Sequence, residues 1–180
     1  MLSRRYLLLL FGFSLVFASL ACDILNSAEP TEETALGSIS GVMWHEICQF
    51  IDGSPPVLGE GCVEWGENDS WGFGPNQVFD EFESGWVGVT LHLGAGACPS
   101  TGLYMTATNA FGEYNFYGLN AGTYCVSYSP HTDGNDTILI PGGPTFPFRD
   151  AEDGRYRTVE LASGENKVDV DFGWAWQFFD

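Results

Sequence analysis

The segment Thr108–Tyr124, TNAFGEYNFYGLNAGTY, decides the fold. Asn109 to Gly112 is a cluster of turn-formers. After it Tyr114 and Phe116 stand two residues apart, which puts both on one face of an extended strand. Gly118-Leu119 closes a second turn, and Ala121-Gly122 leads into another strand. Gly112 and Gly122 occupy the places where a Cβ would oppose the backbone angles a tight turn needs. The unit reads turn, strand, turn, strand, and the 3.6-residue period of a helix is missing from it.

The same period of two extends outward in both directions. Gly37 to Trp44 (GSISGVMW) is a first strand. Val89, Leu91 and Leu93 alternate with Thr90 and His92, and Leu103, Met105 and Ala107 alternate with Tyr104, Thr106 and Thr108. Tyr124, Val126 and Tyr128 alternate with Cys125 and Ser127. Tyr156 to Leu161 is a weaker strand, and Val168, Val170, Phe172 and Trp174 form the last. Turns fall at 94–96, 109–112, 120–122 and 163–164. Counting Tyr114–Phe116, these seven short strands predict an all-β domain, an antiparallel seven-stranded β-sandwich with two long loop insertions. The insertions are Glu46 to Trp86, rich in Gly, Pro and acids, and Pro130 to Asp153, with four of the nine prolines. Loops of this length are functional or disordered as a rule. Their aromatics (Trp65, Trp71, Phe73, Phe79, Phe82, Trp86, Phe146, Phe148) give them something to bury, so packing over the sandwich is expected.

Residues 1–21 read as an export signal. Arg4 and Arg5 form a positive n-region, Leu7 to Phe17 an apolar core too short to span a bilayer, and Ala18, Ser19 and Ala21 lead to Cys22. A cysteine there resembles a bacterial lipoprotein processing site, where the thiol is acylated and anchors the chain to the membrane. Ser19 stands where such sites usually carry Leu, and an ordinary secretory signal with an incidental cysteine is the alternative. Residues 22–36 are small, polar and acidic and read as a flexible tether. The domain proper is expected over residues 37–176.

Cleaving residues 1–21 removes two arginines and no acid, which takes the net charge from −18 to −20. Such a surface repels phosphates, so nucleic acid and anionic lipid headgroups are poor partners. Without Cys22, an even number of cysteines remains: Cys48, Cys62, Cys98 and Cys125. In an exported chain these form disulfides. Three connectivities are open. Cys48–Cys62 with Cys98–Cys125 closes two short stretches that hold turn-formers. A zinc site is disfavoured, since none of the four stands in a CxxC and no His follows at finger spacing.

The Thr108–Tyr124 unit resembles the hallmark of Cna B-type and SdrD B-like surface domains, members of a prealbumin-like (Ig-like) group that includes carboxypeptidase-regulatory-like domains. Gly37–Trp44 is similar to the family's opening strand, Gly85–Leu91 (GWVGVTL) to its second, and Val170–Trp174 (VDFGW) to its closing strand. The resemblance spans residues 37–174. It implies a structural or adhesive module on a bacterial cell surface, in the cell envelope or on its extracellular face, with no catalytic activity. Some Cna B-type domains carry a Lys–Asn isopeptide bond whose lysine lies in the first strand. Here the one lysine, Lys167, lies near the last, so the bond is not expected.

The SdrD B-like branch often binds calcium through acids in the first long connection. The resemblance implies such a site at Asp80 and Glu83, with Glu46 and Asp69 completing an oxygen shell of the kind calcium needs. A solvated acidic loop is the competing reading. Trp65, Trp71 and Trp86 are candidate stacking surfaces for a carbohydrate ligand, an extracellular polysaccharide or a protein being the possible partner. Enzymatic motifs are absent: His45, His92 and His131 are scattered, with neither HExxH nor GxSxG. A carboxylate pair such as Glu113 with Asp171 carries little information in so acidic a chain.

Overall fold

A computed structural model of the protein describes residues 35–51, 57–65, 72–147 and 155–176. At its centre, β1 (Gly37–His45) runs through the middle of a six-stranded sheet. On one side β1 pairs with β9 (Glu113–Leu119) and then β6 (Ser84–Gly85), both antiparallel. On the other it pairs with β13 (Asn166–Lys167) and then β14 (Phe172–Ala175), both parallel. β11 (Gly143–Phe146) completes this sheet beside β14. The opposing sheet has four antiparallel strands in the order β12 (Tyr156–Leu161), β10 (Gly122–Ser127), β7 (Thr90–Ala95), β8 (Tyr104–Ala107).

The protein is thus an all-β sandwich, and each of the seven segments read as strands contributes one. Two-residue alternation puts one face of each sheet inward. Ile39 and Met43 of β1, Tyr114, Phe116 and Leu119 of β9, and Phe172 and Trp174 of β14 meet Leu91 and Leu93 of β7, Tyr124 and Val126 of β10, and Val159 and Leu161 of β12 in one core. Tyr128 joins the layers edge-on, its ring 5.2 Å from Phe172 and 5.8 Å from Trp174. Burying a side chain of this size stabilises the fold by about 1.5–3 kcal/mol.

Three details depart from the expected pattern. First, β1 and β14 run parallel. Parallel neighbours need a long crossover, and here nearly the whole domain serves as one, since β1 opens it and β14 ends it. Second, the last strand is interrupted. Between β13 and β14 the chain detours through Val168–Asp171, with Asp169 at φ 60° and Val168 57% exposed where a core position was expected. The ladder is maintained by substitution: Val170 N–H donates to Ser40 O at 3.1 Å, and Val42 N–H donates to the Asp171 carboxylate at 2.8 Å. The detour presses on β1 so closely that a Cβ on Gly41 would lie 2.2 Å from Val170 O. Third, Leu103 and Met105 are exposed where the alternation had put them inward. β8 is an edge strand, and alternation there reports extended backbone without fixing which side meets the core.

Gly112 is left-handed at φ 78°, as the turn requires, and is wedged against Met43 O. Gly122 does not take a positive φ. The left-handed residue of that second turn is Gly118, at φ 71°.

Both long connections contain structure. The first holds two hairpins, β2 (Phe50–Ile51) with β3 (Val57–Leu58), and β4 (Cys62–Trp65) with β5 (Gly72–Pro75). A disulfide joins Cys48 to Cys62, and a second joins Cys98 to Cys125 of β10. The other connection holds a short helix, α1 (Asp136–Leu139). Fully buried Asn135 fastens this segment to β7, accepting from Thr90 N–H at 2.8 Å and donating to Thr90 O at 3.0 Å and Ser129 O at 2.9 Å. Lys167 lies in β13, its ammonium 3.4 Å from Glu165 on the exposed side of the sheet.

Candidate functional site

The outer face of the six-stranded sheet is built from the alternate residues of the core-facing strands. Since Ile39 and Met43 point inward, Ser40, Val42 and Trp44 point outward, and Glu113, Asn115 and Tyr117 do the same on β9. The β1–β9 register sets Ser40 opposite Asn115 and Val42 opposite Glu113. These residues line a groove of about 660 Å³, which Asp169 and Asp171 close on the side of the detour and Phe79 at one end.

Trp44 is only 3% exposed although it faces away from the core. Its ring is covered by the two long connections, by Phe79 from the first (centroids 5.7 Å apart) and Phe146 from the second (5.3 Å). The Arg157 guanidinium sits 5.7 Å from the Phe146 ring, adding a cation–π contact. Loop aromatics do pack over the sandwich at these points.

Beside this aromatic layer lie three of the four residues expected to take calcium. Glu46 is fully buried and accepts hydrogen bonds from Thr145 Oγ1 and from Gln77 N–H. Glu83 accepts from Ile47 N–H at 2.7 Å and from Asp80 N–H at 3.0 Å. Asp80 accepts from Asn76 Nδ2 at 2.8 Å. Burial pushes the Glu83 carboxyl up to about 7, and the nearby charges of Glu46 and Asp80 push the same way, against the two backbone donors. The carboxylates thus organise the connection by capturing backbone N–H groups. No group of three or more His, Cys, Asp or Glu side chains is arranged to hold a metal ion among the described residues. Asp69 lies outside them.

The candidate stacking tryptophans fare differently from one another. Trp86 packs at the end of the core, 4.7 Å from the His45 ring and 4.8 Å from Trp176, and its Nε1–H donates to Trp174 O at 3.3 Å. It is a packing residue, and burial lowers the pKa of the His45 beside it. Trp65 ends β4 opposite Gly72. Trp71 and Cys22 lie outside the described residues.

The histidines do not converge. His45 is in the tryptophan cluster, His92 pairs with Asp133 at 3.0 Å on the other sheet, and His131 is exposed. Glu113 and Asp171 do share the groove. Burial raises the Asp171 carboxyl, opposed by the Val42 N–H, while Glu113 accepts from Asn109 Nδ2 at 2.8 Å. Sequence reasoning missed Trp44, Asn115 and Tyr117 as a set. Each looks like an ordinary member of an alternating strand, and only the register of β1 with β9 brings them together.

No family model matches the chain, and neither does any curated protein. Among solved structures, it is similar to GBS52, the minor pilin of the Gram-positive pathogen Streptococcus agalactiae, at 10% sequence identity and a TM-score of 0.36. The alignment covers 77% of this chain and 44% of that one. At this distance the likeness bears on neither activity nor partners, and the function rests on the chain's own residues.

Proposed function

We propose that the protein is a non-enzymatic module of the bacterial cell envelope, held to the membrane by a lipid on Cys22, spaced from it by the acidic tether, and serving a structural or adhesive purpose. One combination of features carries this reading: an export signal ending at a cysteine precedes a β-sandwich with two disulfides, which belongs in an oxidising compartment. The resemblance to Cna B-type and SdrD B-like surface domains supports it. An intact mass of the protein recovered from its native envelope tests it. Acylation at Cys22 is expected, and an unmodified soluble chain starting elsewhere would overturn the anchored form.

Calcium belongs to a second reading of the same module, favoured by the crowding of Glu46, Asp80 and Glu83. Burial is the main reason the Glu83 carboxyl is lifted to about 7, and the like charge of Glu46 and Asp80 that adds to it is charge a bound cation would relieve. A melting midpoint higher in calcium than in chelator is the expected result, and an unchanged midpoint discards this reading.

A further inference from the structure

We infer that the groove on the outer face of the six-stranded sheet is a binding site for a neutral, hydroxyl-rich chain, a segment of an uncharged polysaccharide. The inference rests on the protein being an exported binding module, and it assigns that module a ligand class and a place.

Two buried polar atoms on groove-lining residues have no hydrogen-bond partner among the described residues: the donor Trp44 Nε1 and the acceptor Asn115 Oδ1. Orphaned polar groups of this kind are costly and rare in folded proteins, and each calls for an explanation, an unseen ligand among them. A ligand that satisfies both must offer an acceptor and a donor, and a hydroxyl is both at once. Around them Asp169, Asp171 and Glu113 add acceptors, while no lysine or arginine lines the groove. Anionic ligands such as phosphates, sulfates and uronic acids are therefore repelled. Tyr117, 73% exposed, and Phe79, 45% exposed, flank the polar floor with aromatic surface, which suits the C–H faces of a sugar ring. The volume falls within the usual range for small-ligand sites, and the open shape fits a chain passing through.

A peptide is the obvious rival in an acidic groove. A peptide gains most by adding a strand to a free sheet edge, but this groove lies on a sheet face. Along it β1 is paired with β9 on one side and hydrogen-bonded on the other to the Val168–Asp171 detour through Ser40 O and Val42 N–H, so no free ladder is offered. The two orphaned atoms are closed to solvent, and a ligand reaches Trp44 Nε1 only by displacing a covering side chain. Phe79, stacked on the Trp44 ring and partly exposed, is the loop residue placed to move.

The test is isothermal titration of the purified mature protein with neutral hexasaccharides (cello-, xylo-, manno- and chitohexaose) and with decalysine. Binding of at least one hexasaccharide is expected, weakened about tenfold by Tyr117→Ala, the loss of one stacking contact. It should also weaken in Asp169→Asn, which keeps a residue tolerant of the left-handed backbone there. Phe111→Ala, exposed but outside the groove, should bind as wild type does. No binding of any hexasaccharide, binding indifferent to Tyr117→Ala, or binding of decalysine alone would overturn the proposal. Because the purified protein is titrated, failure of envelope anchoring leaves the result untouched, and the two readings fail separately.

Discussion

The two-sheet body and the Glu46–Trp86 connection hold themselves together by different physics. In the body, apolar side chains from facing sheets interlock, and the core residues of β1, β7, β9, β10, β12 and β14 are nearly all shut from water. In the connection, Ile51, Val57 and Val78 are more than half exposed, Val63 and Phe79 somewhat less, and its described order comes mainly from hairpins of two and four residues, a disulfide, and carboxylates that capture backbone N–H groups. One region offsets chain entropy by burying area, the other by cross-linking and local polar contacts. A substitution should therefore act globally in the body and locally in the connection.

The largest expected effect is at Phe172. It is fully buried, opens β14, and is packed against Tyr128 and Tyr114 from both sides of the core. Phe172→Ala should cost about 3–5 kcal/mol of unfolding free energy, measured by urea denaturation with an unchanged slope. A loss below about 1 kcal/mol would mean the sheets do not pack as described.

The two disulfides sharpen the contrast. Cys48–Cys62 closes a 14-residue separation within the connection, and Cys98–Cys125 a 27-residue separation that reaches into β10. Chain entropy assigns each about 3–4 kcal/mol. The paired change Cys98→Ser with Cys125→Ser should lower the melting midpoint of the whole domain. Cys48→Ser with Cys62→Ser should leave that midpoint nearly in place while limited proteolysis finds new cuts within residues 46–86, because opening there is sub-global. Equal midpoint losses would erase the distinction between the two regions.

The same contrast explains what could be read from the sequence. Period-two spacing made the body legible: Val89, Leu91 and Leu93 alternate, and all three are fully buried. Leu103, just before the edge strand β8, and Met105 on it alternate just as well but lie in water, since spacing reports extended backbone and says nothing of its neighbours. The detour at Val168–Asp171 was hidden for a related reason. Asp169 and Asp171 looked like the polar face of a continuous strand, while in fact one turns the chain left-handed and the other takes the place of a ladder carbonyl. Asn135 shows the limit most sharply. A buried amide that binds three backbone groups has the same letter as any loop asparagine. In the candidate groove the residue types were visible and their company was not, because Ser40 meets Asn115 only through a strand pairing seventy-five positions apart in sequence.

The smallest effect, and the one most specific to the connection, concerns Glu83. Its carboxyl titrates near 7 in the folded protein and near 4.5 in a free chain. Below pH 4.5 both states are protonated and no difference arises. As pH rises from about 4.5 to 7 the unfolded chain gives up a proton that the folded protein keeps, so stability falls across this window and then levels off. Glu83→Gln removes that titration while Oε1 can still accept from Ile47 N–H. The variant should match wild type at pH 4, exceed it at pH 8 by roughly 1 kcal/mol or less after solvent screening, and show a flatter midpoint-against-pH curve. Asp171, raised by burial in the body, contributes a slope of the same sign from lower pH that Glu83→Gln leaves in place. A curve unchanged by the substitution would mean that Glu83 is not shut from water beside Glu46 and Asp80 as described, and that the acidic connection is held by its disulfide and hairpins alone.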